Sequence, residues 1–216
     1  MGERGPGYRA GVQRFPPPRH KTGVMPPNQV PSDTEILGRA KRDPDCFGIL
    51  YQRHGAAVLR FLVRRVDAGS AEDLLAEVFT AAFSARLRVT PHDSGSALPW
   101  LYGIAGNVVR SHRRKVVGIA TGKASAAAAD ESSSSLDWDA IDARIDAGAK
   151  RTALRAALNA LSPGERELLL LVAWEGLTPA EAGLALGLSP EAARSRLHRA
   201  RKRSQSVLDT FERASR

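Results

Sequence analysis

Apolar side chains recur every three or four residues along most of the chain, which is the spacing of one face of an α-helix. This pattern predicts two helices between residues 33 and 66. A third helix is predicted from Ser70 to about Arg86, and a fourth from Pro99 to residues 113–115. Long stretches with the period-two alternation of a β-strand are absent, so the sequence predicts an all-α fold. The inward-facing residues of the third and fourth helices are predicted to be Leu74, Leu75, Val78, Phe79, Phe83, Trp100, Leu101, Ile104, Ala105 and Val108.

The last third of the chain contains a second group of predicted helices. A short helix is predicted over residues 154–161, and Ser162, Thr178 and Ser189 each begin a further helix because serine and threonine are favoured N-cap residues. Gly187 marks a tight turn between the last two helices. Two helices joined by so short a turn are typical of a helix-turn-helix, whose second helix enters the major groove of DNA.

The final predicted helix has one apolar and one basic face. At about 100° per residue, Ala193, Leu197 and Ala200 share the apolar face. Residues 194–203 contain six basic side chains and no acidic one. Basic residues at the end of a helix complement its dipole, but Arg194 lies near the beginning, where contact with DNA phosphates or bases explains it better. The candidate DNA-binding residues are Glu191, Arg194, Ser195, Arg196, His198, Arg199 and Lys202.

Charge and composition divide the chain into four parts. The formal net charge is +9, yet residues 119–150 carry six acidic and three basic side chains among many alanines and serines. This composition predicts a flexible acidic linker. Residues 1–32 hold seven of the thirteen prolines and are predicted to be disordered, with Met25 as an alternative start. The predicted organisation is a Pro-rich extension over 1–32, a helical domain over 33–118, a flexible linker over 119–149 and a helix-turn-helix domain over 150–216.

An acidic pair lies on the third predicted helix. Asp73 and Glu77 are four residues apart and therefore share one face, where like charges slightly destabilise the helix. Two explanations stay open. The acids complement the helix N-terminus, which suits Asp73 better than Glu77, or they face a partner with basic side chains.

Groups that support catalysis, metal binding or membrane insertion are not recognisable. The single cysteine, Cys46, excludes a disulfide framework within the chain. We find no P-loop, no Ser–His arrangement and no site built around paired carboxylates. No apolar run approaches the ~20 residues of a membrane span. We therefore expect a non-enzymatic protein without cofactor, metal, small-molecule substrate or membrane insertion. The histidines, which show no metal-ligand spacing, are His20, His54, His92, His112 and His198.

Three segments of the chain together resemble a known family. The first is SAEDLLAEVFTAAF at residues 70–83, and the second is PWLYGIAGN at residues 99–107. The third combines LSPGEREL at 161–168 with SPEAARSRLHRAR at 189–201. In this order and spacing they resemble the extracytoplasmic-function (ECF) sigma factors of bacterial RNA polymerase. The resemblance implies two small helical domains that direct promoter-specific transcription initiation through the −10 and −35 elements.

By the same resemblance, the first helical domain holds two binding surfaces. The helix with the acidic pair corresponds to the segment that docks on the clamp of the largest polymerase subunit. The fourth helix and the loop over residues 88–97 correspond to the part that reads and opens the −10 element, and the loop would hold a flipped base. The implied core-polymerase-binding residues are Asp73, Leu74, Glu77, Val78 and Phe79. The implied −10 contact is Asn107, and Arg110, Arg113 and Arg114 continue the same helix and suit contact with phosphates.

The chain departs from the family at three positions in this region. Gly103 and Gly106 stand where relatives often carry larger and commonly basic side chains, and each glycine costs a helix roughly 1 kcal/mol against alanine. We expect them to weaken the helix or to let DNA come close. Ala97 stands where relatives often have an aromatic residue.

The expected partners follow from the resemblance as well. They are core RNA polymerase, through its clamp and flap regions, promoter DNA and an anti-sigma factor, in the cytoplasm at the nucleoid. Two alternatives stay open on the residues alone: a helix-turn-helix regulator that acts without sigma function, and a helical adaptor whose basic face is incidental.

Overall fold

The computed structural model describes residues 31–89, 95–121 and 148–214. Within these ranges the secondary structure is helical and contains no strand, which confirms the all-α prediction. A 3₁₀ turn, Pro44–Phe47, precedes the second helix. The α-helices are α1 (Asp33–Ala40), α2 (Gly48–Val63), α3 (Ala68–Ala85), α4 (Leu98–Thr121), α5 (Gly148–Asn159), α6 (Pro163–Ala173), α7 (Pro179–Ala185) and α8 (Pro190–Ala214).

Side-chain caps set most of the helix starts that the sequence predicts. Ser162 and Thr178 each form a capping box, with Glu165 and Glu181 respectively, and Ser189 Oγ accepts from the backbone N–H of Ala192 at 3.2 Å. The predicted start of α3 at Ser70 is wrong. Asp67 is the N-cap, and its carboxylate accepts from the Ser70 N–H at 2.9 Å, so the helix begins at Ala68.

The described part of the chain from Pro31 onward forms one compact unit. Phe61, Leu62 and Val78 are completely buried among α1–α4. The same apolar cluster continues into Leu168 of α6 and Leu197 of α8, so the two helical groups pack against each other. A smaller cluster around Leu158, Leu161, Leu170 and Ala200 holds α5 against α6 and α8.

The ends of the helices shift the predicted domain limits. Helix α4 continues to Thr121 instead of ending at residues 113–115, and α5 already begins at Gly148. The linker predicted over 119–149 therefore overlaps both helices, and its residues 122–147 lie outside the described part. The Pro-rich extension up to residue 30 and residues 90–94 of the predicted loop also lie outside it.

A close helix–helix approach builds the helix-turn-helix. A Cβ atom on Gly183 of α7 would lie 2.7 Å from the Cβ of Ala193 in α8, so only glycine allows this spacing. The chain reverses at Gly187, whose φ of 67° is favourable for glycine alone. Both glycines are required for α8 to cross α7 at short range.

Candidate nucleic-acid interface

Helix α8 presents the basic surface that the sequence predicts. Ala193, Leu197 and Ala200 are buried against α6 and α7, which fixes the orientation of the helix. The opposite surface exposes Glu191, Arg194, Ser195, His198, Arg199 and Lys202. Hydrogen bonds between side chains of the same helix orient two of these residues. Arg194 donates to Glu191 at 3.2 Å, and Arg199 donates to Ser195 at 3.1 Å.

Two basic residues of α8 differ from this exposed set. Arg196 is half-buried, and its guanidinium lies beside Gly164 at the start of α6. Arg203 donates to Glu165 Oε2 at 2.8 Å and thereby ties α8 to α6. Burial raises the pKa of Glu165, but the hydrogen bonds from Ser162 and the charge of Arg203 outweigh it and hold the pKa below its ordinary value. Arg203 therefore has a structural partner, and Arg196 lies at the edge of the basic surface.

Helix α4 carries a second candidate surface. Trp100, Gly103, Asn107 and Arg114 lie within about 60° of one another around the helix axis, at about 100° per residue. Asn107 and Arg114 are exposed, and the Oδ1 atom of Asn107 accepts a hydrogen bond from the guanidinium of Arg110. Arg113 points elsewhere, because its guanidinium donates to the carbonyl of Arg65 at 2.6 Å at the end of α2. The structure thus brings three of the four predicted −10 residues together and separates the fourth.

A cavity of about 280 Å³ opens beside this face of α4. Its walls come from α1, from the residues just before α4, from α4 itself and from α7. Trp100 and Ile104 supply apolar surface, and Asn107 and Ser96 supply hydrogen-bonding groups. An aromatic wall with polar groups at its rim is suited to a planar, partly polar group such as a nucleobase.

The C-terminal end of α7 lies directly against α4 at the edge of this cavity. A Cβ atom on Gly103 would lie 2.8 Å from the carbonyl oxygen of Ala185, and Leu184 and Ala185 line the cavity. Because it has no side chain, Gly103 therefore allows α4 of the first helical group to pack directly against α7 of the second. Gly106 has no such role, because its Cβ would meet only the flexible end of Arg110, at 3.5 Å.

Glu175, in the turn between α6 and α7, is a polar centre of the same contact. Its side chain is 4% exposed and accepts from Arg64 at 2.8 Å, with Arg65 at 3.7 Å. The Tyr102 hydroxyl donates to its other oxygen at 3.3 Å. Burial, together with the negative charge of Glu175, raises the pKa of Tyr102 well above its ordinary value, so the phenol stays protonated as a donor. Arg65 also bonds Glu167 of α6 at 3.0 Å.

The acidic pair on α3 is exposed, whereas its apolar neighbours are not. Asp73 and Glu77 face solvent, while Leu74, Val78 and Phe79 are buried in the core beneath them. The predicted polymerase-binding set is therefore split between two charged residues at the surface and three that hold α3 in place. Tyr51 of α2 is an exposed aromatic residue whose ring packs edge-on against the buried Phe79, with 4.8 Å between the ring centres.

Among the described residues, no cluster of His, Cys, Asp or Glu could hold a metal ion. Of the helices described, none has both the length and the apolar character that crossing a membrane requires. Cys46 is half-buried beside Asp43, where burial and the neighbouring carboxylate raise the pKa of its thiol.

Sequence reasoning missed two residues that organise these surfaces. Glu175 lies in a turn, and only the fold brings it to Arg64 and Arg65, more than a hundred positions earlier. Asp33 begins α1 and was not distinguished from any other acid in a first helical turn. Its side chain is 3% exposed and bonds His54 and the backbone N–H of Ala97. In the sequence, these contacts are visible only as opposite charges that lie far apart, and charge alone does not identify which residues pair.

Family models match both helical groups. Residues 50–117 match the model for sigma-70 region 2, and residues 151–203 match the model for sigma-70 region 4. The first range contains the acidic pair and the α4 surface, and the second contains the helix-turn-helix. Because both are present in one chain, the alternative of a regulator without sigma function is not favoured.

Two curated relatives match this chain over more than nine-tenths of their own length. The RNA polymerase sigma factor CarQ of Myxococcus xanthus is 35% identical over 176 residues, which cover 78% of this chain and 92% of CarQ. The sigma factor NccH of Alcaligenes xylosoxydans xylosoxydans is 31% identical over 84% of this chain and 98% of NccH. The ECF sigma factor BldN of Streptomyces coelicolor is 29% identical over 77% of this chain and 62% of BldN.

A solved structure shares the fold. The structure of CnrH in complex with the cytosolic domain of CnrY superimposes with a TM-score of 0.52 at 24% identity, covering 82% of this chain and 97% of that one. Taken with the matches to regions 2 and 4, the relatives show that this chain belongs to the ECF subfamily of bacterial RNA polymerase sigma factors and directs promoter-specific transcription initiation.

Proposed function

We propose that this sigma factor divides its work among three surfaces: the acidic pair on α3 binds the polymerase clamp, the α4 face captures the −10 strand, and the exposed face of α8 reads the −35 element. The observation that carries this proposal is the exposed basic face of α8 over its buried Ala193–Leu197–Ala200 stripe. A helix anchored in this way presents its basic side chains to the phosphates that flank a major groove.

The α4 face is suited to single-stranded DNA. Asn107 offers an amide to a base edge, Trp100 offers a ring for stacking, and Arg110 and Arg114 extend along the same side of the helix toward the phosphates. The cavity beside them is the site proposed for a flipped base. Arg113 is assigned to the support of α4 because it bonds the carbonyl of Arg65.

The polymerase surface rests on charge and exposure. Asp73 and Glu77 are exposed one turn apart, and the structure shows no basic partner for either among the described residues. Two uncompensated carboxylates on one helix face favour a partner with basic side chains. Leu74, Val78 and Phe79 contribute by fixing the position of α3.

The same proposal makes the chain a non-catalytic factor that acts in the cytoplasm at the nucleoid. Promoter opening is then driven by binding energy, with bases held in the cavity in place of stacking in the duplex. A protein inhibitor of the anti-sigma class would act by covering these exposed faces, and the flap of the polymerase is the proposed second contact for the helix-turn-helix group.

Run-off transcription with purified core RNA polymerase tests the assignment. The templates are fragments from the region upstream of the protein's own coding sequence, with footprinting performed with and without polymerase. Asp73→Arg/Glu77→Arg is expected to abolish specific transcripts and polymerase binding together. Glu72→Arg is the matched control, since Glu72 is an exposed acid about 100° from Asp73 on the same helix and is expected to retain transcription.

Three outcomes would contradict the proposal. Loss of transcription with the Glu72 variant, at the level of the double variant, would mean that any charge change on α3 is harmful. A promoter footprint from the protein without polymerase would favour the independent regulator. Normal polymerase binding by the double variant would place the docking surface elsewhere.

A further inference from the structure

One buried carboxylate joins three helices at the edge of the −10 surface. Asp33 is the first residue of α1, yet its side chain points inward and is only 3% exposed. One carboxylate oxygen, Oδ2, lies 2.6 Å from Nε2 of His54 in α2 and accepts from the backbone N–H of Ala97 at 2.7 Å. The other oxygen, Oδ1, is paired with the guanidinium of Arg53. A buried charge persists only when its hydrogen-bonding capacity is met, as it is here.

The contact with Ala97 lies where α4 begins. The carbonyl of Ala97 accepts from the N–H of Leu101 at 3.0 Å, so Ala97 is the residue that leads the chain into the helix. Its N–H is among the groups that a helix leaves without an internal partner, and Asp33 supplies that partner from a different helix. A negative charge at a helix N-terminus is also favoured by the helix dipole. Asp33 therefore fixes the N-terminal end of α4 relative to α1.

This tie spans the wall of the cavity described above. Thr34, next to Asp33, lines the cavity from α1, and Ser96 and Ala97 line it from the residues that enter α4. Trp100 and Asn107 follow on the same helix. Loss of the Asp33–Ala97 bond would release the residues before α4, and with them the spacing between the two sides of the cavity.

We propose that Asp33 is a positioning residue for −10 strand capture, which holds the start of α4 through the Ala97 N–H and so sets the width of the cavity beside Trp100 and Asn107. This inference rests on the proposed function of the α4 face. Asp33 belongs to α1 and bonds partners in α2 and before α4, whereas the acidic pair that docks on polymerase is on α3. A change at Asp33 is therefore expected to separate strand capture from polymerase binding.

The experiment uses holoenzyme assembled from core polymerase and each variant. The probe is a fluorescein-labelled single-stranded DNA with the non-template sequence of the −10 region from the promoter mapped by run-off transcription. Its affinity is measured by anisotropy, the affinity for core polymerase by a separate titration, and the folding of each variant by thermal unfolding.

The variants are chosen by which bond they keep. Asp33→Ala removes the acceptor and is expected to weaken capture of the strand about tenfold, with the affinity for polymerase unchanged. Asp33→Asn keeps an oxygen for the Ala97 N–H and is expected to restore most of the affinity. Arg53→Gln is the matched control, because it breaks the pair on the other oxygen and leaves the Ala97 bond in place. It is expected to lower stability without weakening capture.

Three results would overturn the inference: capture by Asp33→Ala equal to wild type, a parallel loss of polymerase affinity, or an equal loss of capture with Arg53→Gln. Should Asp33→Ala fail to fold, Asp33→Asn carries the test. A neutral oxygen accepts more weakly than a carboxylate, so capture with Asp33→Asn must be measurably below wild type, though by much less than tenfold, and must stay unchanged with Arg53→Gln.

The variant Asn107→Ala shows whether a negative result contradicts this inference alone or also the proposed function on which it rests. Unchanged capture with Asn107→Ala would show that the α4 face does not bind the strand, and both proposals would fail. Weaker capture with Asn107→Ala, combined with normal capture by Asp33→Ala, would overturn the positioning role alone.

Discussion

Gly103 of α4 and Ala185 of α7 are so close that a Cβ atom on Gly103 would lie 2.8 Å from the Ala185 carbonyl oxygen. A backbone carbonyl cannot move aside as the end of a long side chain can. The sequence predicts that the missing side chain at position 103 weakens the helix or admits DNA. In the structure it allows the two helical groups to meet. The meeting point borders the cavity and the face that carries Asn107.

We predict that Gly103→Ala loosens the contact between α4 and α7, although alanine favours the helix by about 1 kcal/mol. The expected result is a larger radius of gyration in small-angle X-ray scattering. Gly106→Ala is the control on the same helix. Its Cβ would meet only the Arg110 guanidinium at 3.5 Å, so it is expected to raise the melting temperature without changing the radius. An equal rise in melting temperature and an unchanged radius for both variants would contradict the close approach.

Glu175→Gln is expected to destabilise the protein by about 3 kcal/mol, because it leaves the buried guanidinium of Arg65 and the adjacent Arg64 without their shared carboxylate. Urea denaturation measures the change in the free energy of unfolding. Glu191→Gln is the control, since its pair with Arg194 is exposed on both sides (76% for Glu191) and screened by solvent, so little change in stability is expected. If the two variants lost similar amounts of unfolding free energy, the burial of Glu175 would not explain its effect.

Arg199→Gln is expected to weaken promoter binding by the holoenzyme on every sequence tested and to reduce the slope of log affinity against log salt by about one. Arg203→Gln provides the contrast, since that guanidinium bonds Glu165 at 2.8 Å. It is expected to lower the melting temperature and to leave the salt slope unchanged. Fluorescence anisotropy at several salt concentrations measures the slopes. If Arg203→Gln reduced the slope and Arg199→Gln did not, Arg203 would be the DNA contact in place of Arg199.

The pH dependence of stability is expected to reveal the ionised state of Asp33. Burial raises the pKa of its carboxyl, but the hydrogen bond from Ala97 and the interactions with His54 and Arg53 outweigh it and lower the pKa below 3.8. Because the folded pKa is the lower one, the contribution to stability is fully present above about pH 3.8, the unfolded value, and is lost as the pH falls through the folded pKa. Unfolding curves between pH 5 and pH 2 should therefore be flatter for Asp33→Asn than for wild type, and parallel curves would contradict the assignment.

Local sequence signals predicted the helices and the face of α8 well. Caps such as Ser162 and Thr178 act within four residues, and the apolar stripe of Ala193, Leu197 and Ala200 follows from helical geometry alone. The start of α3 was predicted wrongly because Asp67 and Ser70 both suit a cap, and only the backbone decides between them.

The parts that sequence could not supply all depend on long-range contacts. Asp33 meets Ala97 across 64 positions, and Arg64 meets Glu175 across 111. No periodicity encodes such pairs, since either partner taken alone looks like an ordinary charge at a helix end. The same limit explains why Arg113 was grouped with Asn107. Their proximity in sequence suggested one surface, but Arg113 reaches back to the carbonyl of Arg65.

Two of the chain's three tryptophans lie beside the contact between the helical groups. The guanidinium of Arg64 lies over Trp174, 5.7 Å from the centre of the indole ring. Trp100 lines the cavity, and Ala185 forms part of the same wall. The protein therefore contains its own spectroscopic probes. Labelled with fluorotryptophan in a Trp138→Phe background, it would give two ¹⁹F resonances in an otherwise fluorine-free transcription complex. Their shifts would follow, in one titration, the separation of α7 from α4 and the arrival of DNA bases at Trp100.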